Sequence, residues 1–156
     1  MSHETTATPA CTVRQNVYRI TFRELCNSIH AVLETGRLGT PVNVRLHWEF
    51  AESEAFLPVI AKAAVAIADE ALQLVEPTWR VRRHSTGRTV NILGSDTRGR
   101  TLMVSLATLS EPRTAMTIFG NHGIVRLDDG WVDPNSIPES LDDRTWSAGL
   151  QAAVAG

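Results

Sequence analysis

The chain has 156 residues, 43% of them hydrophobic and 21% charged, with a net charge of −2. That is enough chain to bury a sizeable core in one domain, and the charge favours neither nucleic acid nor an anionic membrane surface. The two cysteines, Cys11 and Cys26, make no disulfide framework and no metal-ligand spacing exists, so neither a stapled scaffold nor a metal is expected.

Residues 1–12 are rich in Thr, Ser and Pro and are expected to be disordered. They lack the basic and apolar regions of a signal peptide, and the chain reads as cytoplasmic, with one domain over residues 13–156. A short strand is predicted from Val13 to Ile20. Thr21 and Glu24 have capping-box spacing. Phe22, Leu25, Ile29, Val32 and Leu33 then recur at helical spacing. Gly36 can take the left-handed conformation that ends this helix, which makes RLGTP the turn leading onward.

The segment VNVRLHWEF alternates strictly. Val42, Val44, Leu46, Trp48 and Phe50 point one way, and Asn43, Arg45, His47 and Glu49 the other, as in a strand with one buried face. Ser53 can cap a long helix from about Glu54 to Val75, with Pro58 tolerated near its start. This alanine-rich stretch contains Lys62, Asp69 and Glu70 and reads as a buried helix, not a membrane span.

After Glu76-Pro77 come five short strand patterns: TWRVRRH, RTVNILGSD, RTLMVSLATLS, RTAMTIFG and GIVRLDDGWV. Turn residues such as Asp96–Gly99 and Asn121–Gly123 separate them. The tail is a loop followed by a weak final helix. The predicted class is α+β: a mostly antiparallel sheet of about five to six strands, helices on one face, the other face open to ligand or partner.

Three ordered stretches carry a family resemblance. VYRITFRELCNSIHAVLETGRLGTPVNVRLH resembles the helix, "sGrlGtp" turn and first strand of the C-terminal, substrate-side domain of Gfo/Idh/MocA oxidoreductases. IAKAAVAIADEALQLVEPTWRVRR is similar to that domain's central helix, usually opened by "GxHxxD". TAMTIFGNHGIVRLDDG is similar to its late hairpin. Together these span roughly residues 17 to 130. Two departures matter. Only 35 residues precede Gly36, with no glycine among them, so the dinucleotide fold and its G-x-G-x-x-G turn are expected to be missing. The family histidine that serves in proton transfer falls on Ala66, with Ala64 at the glycine and Asp69 at the aspartate. Alanine cannot move a proton, so no cofactor and no autonomous NAD(P) redox chemistry is expected.

What remains is a set of candidates. Lys62, Ala66 and Asp69 share a helix face; if it lines the pocket that the resemblance implies, a desolvated Lys62 could act as base or amine nucleophile beside Asp69. The simpler reading has Lys62 reaching solvent and Asp69 pairing with an arginine. Arg45, His47 and Glu49 share one strand face, where His47 could act as acid or base and Arg45 could hold an oxygen; the plain alternative is a solvated or dimer-facing stripe. Arg80, Arg82 and His84 repeat the pattern on the next strand. Placed side by side, the two sets would form one basic patch for a carboxylate or phosphate. His47, Lys62 and Asp69 are therefore the catalytic candidates, and Arg45, Glu49, Arg80 and Arg82 the substrate-binding ones. His122 belongs to a turn, and no Ser or Cys nucleophile motif occurs.

The first expected function is a cofactor-independent small-molecule protein or enzyme performing a non-redox cyclisation, isomerisation or lyase-type step in a biosynthetic pathway. The alternative is a non-catalytic partner or scaffold subunit. The resemblance implies sheets packed face to face, so a homodimer is expected, or a pairing with a full-length oxidoreductase.

Overall fold

Thr21 opens the first helix by the reciprocal cap that its spacing predicts. Its hydroxyl accepts from the Glu24 N–H at 3.1 Å, and the Glu24 carboxylate accepts from the Thr21 N–H at 3.0 Å. The structure, a computed structural model, describes residues 18–51, 54–109, 111–141 and 145–156. The predicted disordered start, most of the predicted first strand and the Ser53 cap lie outside the described residues.

The elements are β1 (Tyr18–Ile20), α1 (Phe22–Glu34), β2 (Pro41–Phe50), α2 (Leu57–Leu72), β3 (Thr78–Arg83), β4 (Thr89–Ser95), β5 (Thr101–Thr108), β6 (Arg113–Gly120), β7 (Ile124–Val132) and α3 (Ala148–Ala155). A short 3-10 turn, Glu54–Phe56, leads into α2 where an α-helix is predicted from sequence. Pro58 is accommodated at the start of α2, where its missing N–H costs no helical bond. Gly36 has φ 70 just past the end of α1, as expected.

The seven strands among the described residues join one sheet in the order β1-β7-β6-β2-β5-β4-β3. The sheet is mixed, which corrects the expectation of a mostly antiparallel sheet of five to six strands. β2 runs parallel to β5 and β1 parallel to β7. The other pairings are antiparallel. The physical reason is insertion. β5 and β6 follow each other in sequence but do not pair; β2 lies between them, reached from β5 through the crossover of α2 and the β3–β4 hairpin.

β2 is thus the middle strand. Val44, Leu46, Trp48 and Phe50 are fully buried along one side of it. They meet Ile60, Ala64, Ile67 and Ala68 of α2, which the small alanine side chains let approach closely. α1 and α3 flank α2 on the same face. Arg83 pins α3 by donating from Nη1 to the Val154 carbonyl at 2.8 Å. No described helix is long and apolar enough to cross a membrane.

The RLGTP turn has a partner that its local sequence does not reveal. It docks on the β6–β7 hairpin: Asn121 Oδ1 accepts from the Thr40 N–H at 2.8 Å, and the His122 N–H donates to the Leu38 carbonyl at 3.1 Å. Gly39 has φ 70, and a Cβ there would run into Asn121 and His122.

Candidate functional site

β2 positions the polar stripe by strand alternation. Arg45, His47 and Glu49 face away from the helices because Leu46 and Trp48 face them. His47 Nε2 lies 2.7 Å from Glu49 Oε1. The Arg45 guanidinium stands 5.3 Å from the centroid of the Phe119 ring, a cation–π contact across β6. On either side of His47 the registered neighbours are small, Ser105 on β5 and Ala115 on β6. The Ser105 hydroxyl donates onward to Asn91 Oδ1 at 2.7 Å. The histidine–carboxylate pair therefore stands between small neighbours on both adjoining strands.

Arg80 and Arg82 lie on the same uncovered face, in register with Leu93 and Asn91. They are not beside the β2 stripe, however. β4 and β5 intervene, so Arg45 and Arg80 are separated by three strand spacings, roughly 14 Å. The compact basic patch expected from adjacent strands does not form, because β3 is an edge strand. Arg83 faces the helices, on the opposite side from Arg82, as alternation requires.

Lys62 and Asp69 lie on the other side of the sheet. α2 packs against the buried side of β2, while His47 points to the uncovered side. The sheet separates the three catalytic candidates, and they do not share a site. Asp69 is buried, and its Oδ1 accepts from the Leu74 N–H at 2.8 Å. Its carbonyl accepts from the Gln73 N–H at 2.8 Å. Asp69 thus closes the C-terminal turn of α2, where Gln73 takes a left-handed conformation with φ 54. Lys62 is half-buried on the same helix.

One ionic clasp was not foreseen from the sequence, which marks only a tight turn at Asp96–Gly99. The side chain of Asp96 is enclosed. It accepts from the backbone N–H groups of Val75, Arg98 and Arg100 and from the Arg100 guanidinium. Burial alone would raise its pKa, but these donors outweigh burial and hold it below the ordinary carboxylate value of 3.8. Arg100 also donates to the Leu72 and Gln73 carbonyls, tying the end of α2 to the β4–β5 turn. Elsewhere, burial first and the Glu70 charge second push the Cys26 thiol up to about 11, which makes it a poor nucleophile. His30 pairs with Glu70 at 3.1 Å. Among the described residues no group of His, Cys, Asp and Glu could hold a metal ion.

No protein-family model matches the sequence, and no curated protein does. Solved structures match the fold. An oxidoreductase from Agrobacterium radiobacter, in complex with NAD+, L-tartaric acid and magnesium, is 22% identical with a TM-score of 0.54 over 83% of this chain and 48% of its own. Scyllo-inositol dehydrogenase from Lactobacillus casei is 10% identical, with a TM-score of 0.55 over 68% of this chain and 40% of its own. A myo-inositol dehydrogenase from Corynebacterium glutamicum is 12% identical, with a TM-score of 0.54 over 69% and 39%.

The class is thereby defined: the chain has the fold of one part of the Gfo/Idh/MocA dehydrogenases. The resemblance carried by LETGRLGTP and its companion stretches is borne out at the level of fold. The chain spans less than half the length of the structures it matches.

Proposed function

We propose that this chain is a repurposed oxidoreductase domain that works as a subunit, assembling through its uncovered sheet face with a second copy of the same fold. One observation carries the reading: seven strands present a face that no described helix covers, and it holds paired apolar side chains. Leu93 and Met103 are in register and 39% and 41% exposed. Phe119 and Ile124 are in register nearby, Ile124 being 63% exposed. Strand spacing and rise make the face roughly 29 by 23 Å, on the scale of the about 800 Å² that each partner contributes to a stable interface. The partner is another copy of this chain, making a homodimer, or a full-length oxidoreductase of the same fold. A cytoplasmic place and a role in biosynthesis belong to the same proposal, the former supported by the free Cys26 thiol.

Sedimentation equilibrium tests it. At micromolar concentration the chain should run as a dimer, or join a full-length relative when the two are mixed. A double variant, Leu93→Glu with Met103→Glu, should run as a 17.1 kDa monomer with the melting temperature of wild type. A wild-type chain that stays monomeric both alone and in the mixture overturns the reading.

A second reading is favoured by the 2.7 Å His47–Glu49 pair. It is a non-redox acid–base step on a small molecule bound at this face, with Arg45 holding an oxygen of the substrate. Arg80 and Arg82 would then contact only the far end of an extended substrate, and Lys62 and Asp69 would take no part in this site. Loss of turnover in His47→Ala with an unchanged melt would support it; full activity in that variant would sink it.

A further inference from the structure

We propose that the cleft between α1 and the β1–β7 edge is a binding site for a small uncharged molecule: one ring carrying one hydrogen-bond acceptor, held by the Thr114 hydroxyl. The cleft has a volume of about 230 Å³. Its floor is Leu25, Thr114 and Gly130, all buried, with Ile20 and Leu127 as walls and Tyr18 and Ser28 also lining it. It opens on the helical side of the β1–β7 edge, away from the central His47 stripe, so it is independent of the assembly surface.

Three observations set the ligand class. Among the described residues no charged side chain lines the cleft, so an ionised ligand would be desolvated there without compensation from them. An apolar cavity of about 150 Å³ accommodates benzene, so this volume fits a ring with a short substituent and falls below that of sites for drug-sized ligands. Third, Thr114 is 3% exposed and accepts from the Val132 N–H at 3.0 Å. Among the described residues its own O–H meets no acceptor. A buried hydroxyl with an unused donor is costly, and a ligand carbonyl in the cleft would satisfy it. Tyr18, 67% exposed, lies at the cleft mouth.

The probes are acetophenone and ethylbenzene, which match in shape and differ in the acceptor. Titrated into the full chain and followed by amide NMR, both should shift Leu25, Ser28, Leu127 and Gly130. Acetophenone should bind about fivefold more tightly, the effect of about one neutral hydrogen bond. Thr114→Val should abolish that preference, and Thr114→Ser should restore it. Because Thr114→Val also strands the Val132 N–H, Ser28→Phe provides a second variant: on an exposed helix position, it should weaken both probes by filling the cleft. Equal affinity of the two probes for wild type, shifts that never saturate, or binding untouched by Ser28→Phe would each overturn the proposal.

Discussion

Asp69 shows how one residue can be read two ways until its partners are seen. By position it aligns with an aspartate of a proton-transfer motif; by contact it caps the α2 exit through the Leu74 N–H. Asp69→Ala strands that buried donor and should cost about 1–3 kcal/mol, measured as a lowered urea midpoint. Asp69→Asn keeps an acceptor and should lose less. Asp96 gives a pH prediction. Its carboxyl has a lower pKa folded than unfolded, so its stabilising contribution is present above the unfolded value. That contribution is lost as pH falls below about 4 toward the depressed native value. Asp96→Asn should therefore be less stable at neutral pH and should lose less stability on acidification. Equal acid sensitivity in variant and wild type would contradict the clasp. Neither role is legible from the sequence, since both depend on backbone donors brought in by a chain reversal. His47 and Glu49 are different: an i, i+2 spacing on an alternating strand already places them on one face, and the 2.7 Å contact follows.

Among the elements, helices and strands were legible because each carries its own signal. The Thr21–Glu24 cap, the alternation of β2 and the turns between β3 and β7 all correspond to observed elements. The 3-10 start of α2 was missed because the apolar pattern runs through it unchanged. The docking of RLGTP on the β6–β7 hairpin was missed because its two halves are about 80 residues apart, as the Thr40–Asn121 bond shows. Two glycines in the turn separate local from tertiary demands. Gly36 and Gly39 both have φ 70, but only Gly39 is crowded. Gly36→Ala should cost about 1 kcal/mol for left-handed strain alone. Gly39→Ala should cost clearly more, because Asn121 must move and its bond to Thr40 breaks. Thermal denaturation of the two variants side by side checks the order; equal costs would mean that the hairpin contact contributes nothing.

At the scale of the molecule, the uncovered face is rich in arginine. Arg45, Arg80, Arg82, Arg113 and Arg126 alternate onto it, against Glu49 and Asp128. That gives the proposed assembly a signature in salt. Two copies of this face meet as like charges around apolar clusters, so added salt should strengthen homodimerisation by screening the repulsion. A relative presenting carboxylates would instead be released by salt. Sedimentation at low and high ionic strength separates the two partners, and an association indifferent to salt would remove the arginines from the account.

By itself, the sequence determined the order and kind of the secondary elements, the α+β class and the two-faced character of β2, because hydrophobic period, caps and turn residues act within a few positions. The resemblance to an oxidoreductase domain was legible for the same reason: its turn, helix and hairpin are local phrases. Only the tertiary structure decided which strands are neighbours. β2 separates β5 from β6, and β4 and β5 separate β2 from β3, so the two arginine sets stand apart and the sheet divides His47 from Lys62 and Asp69. Alternation assigns a residue to a face of its strand, but strand order comes from long-range hydrogen bonding and from where α2 can bury its apolar surface, and no local pattern encodes either.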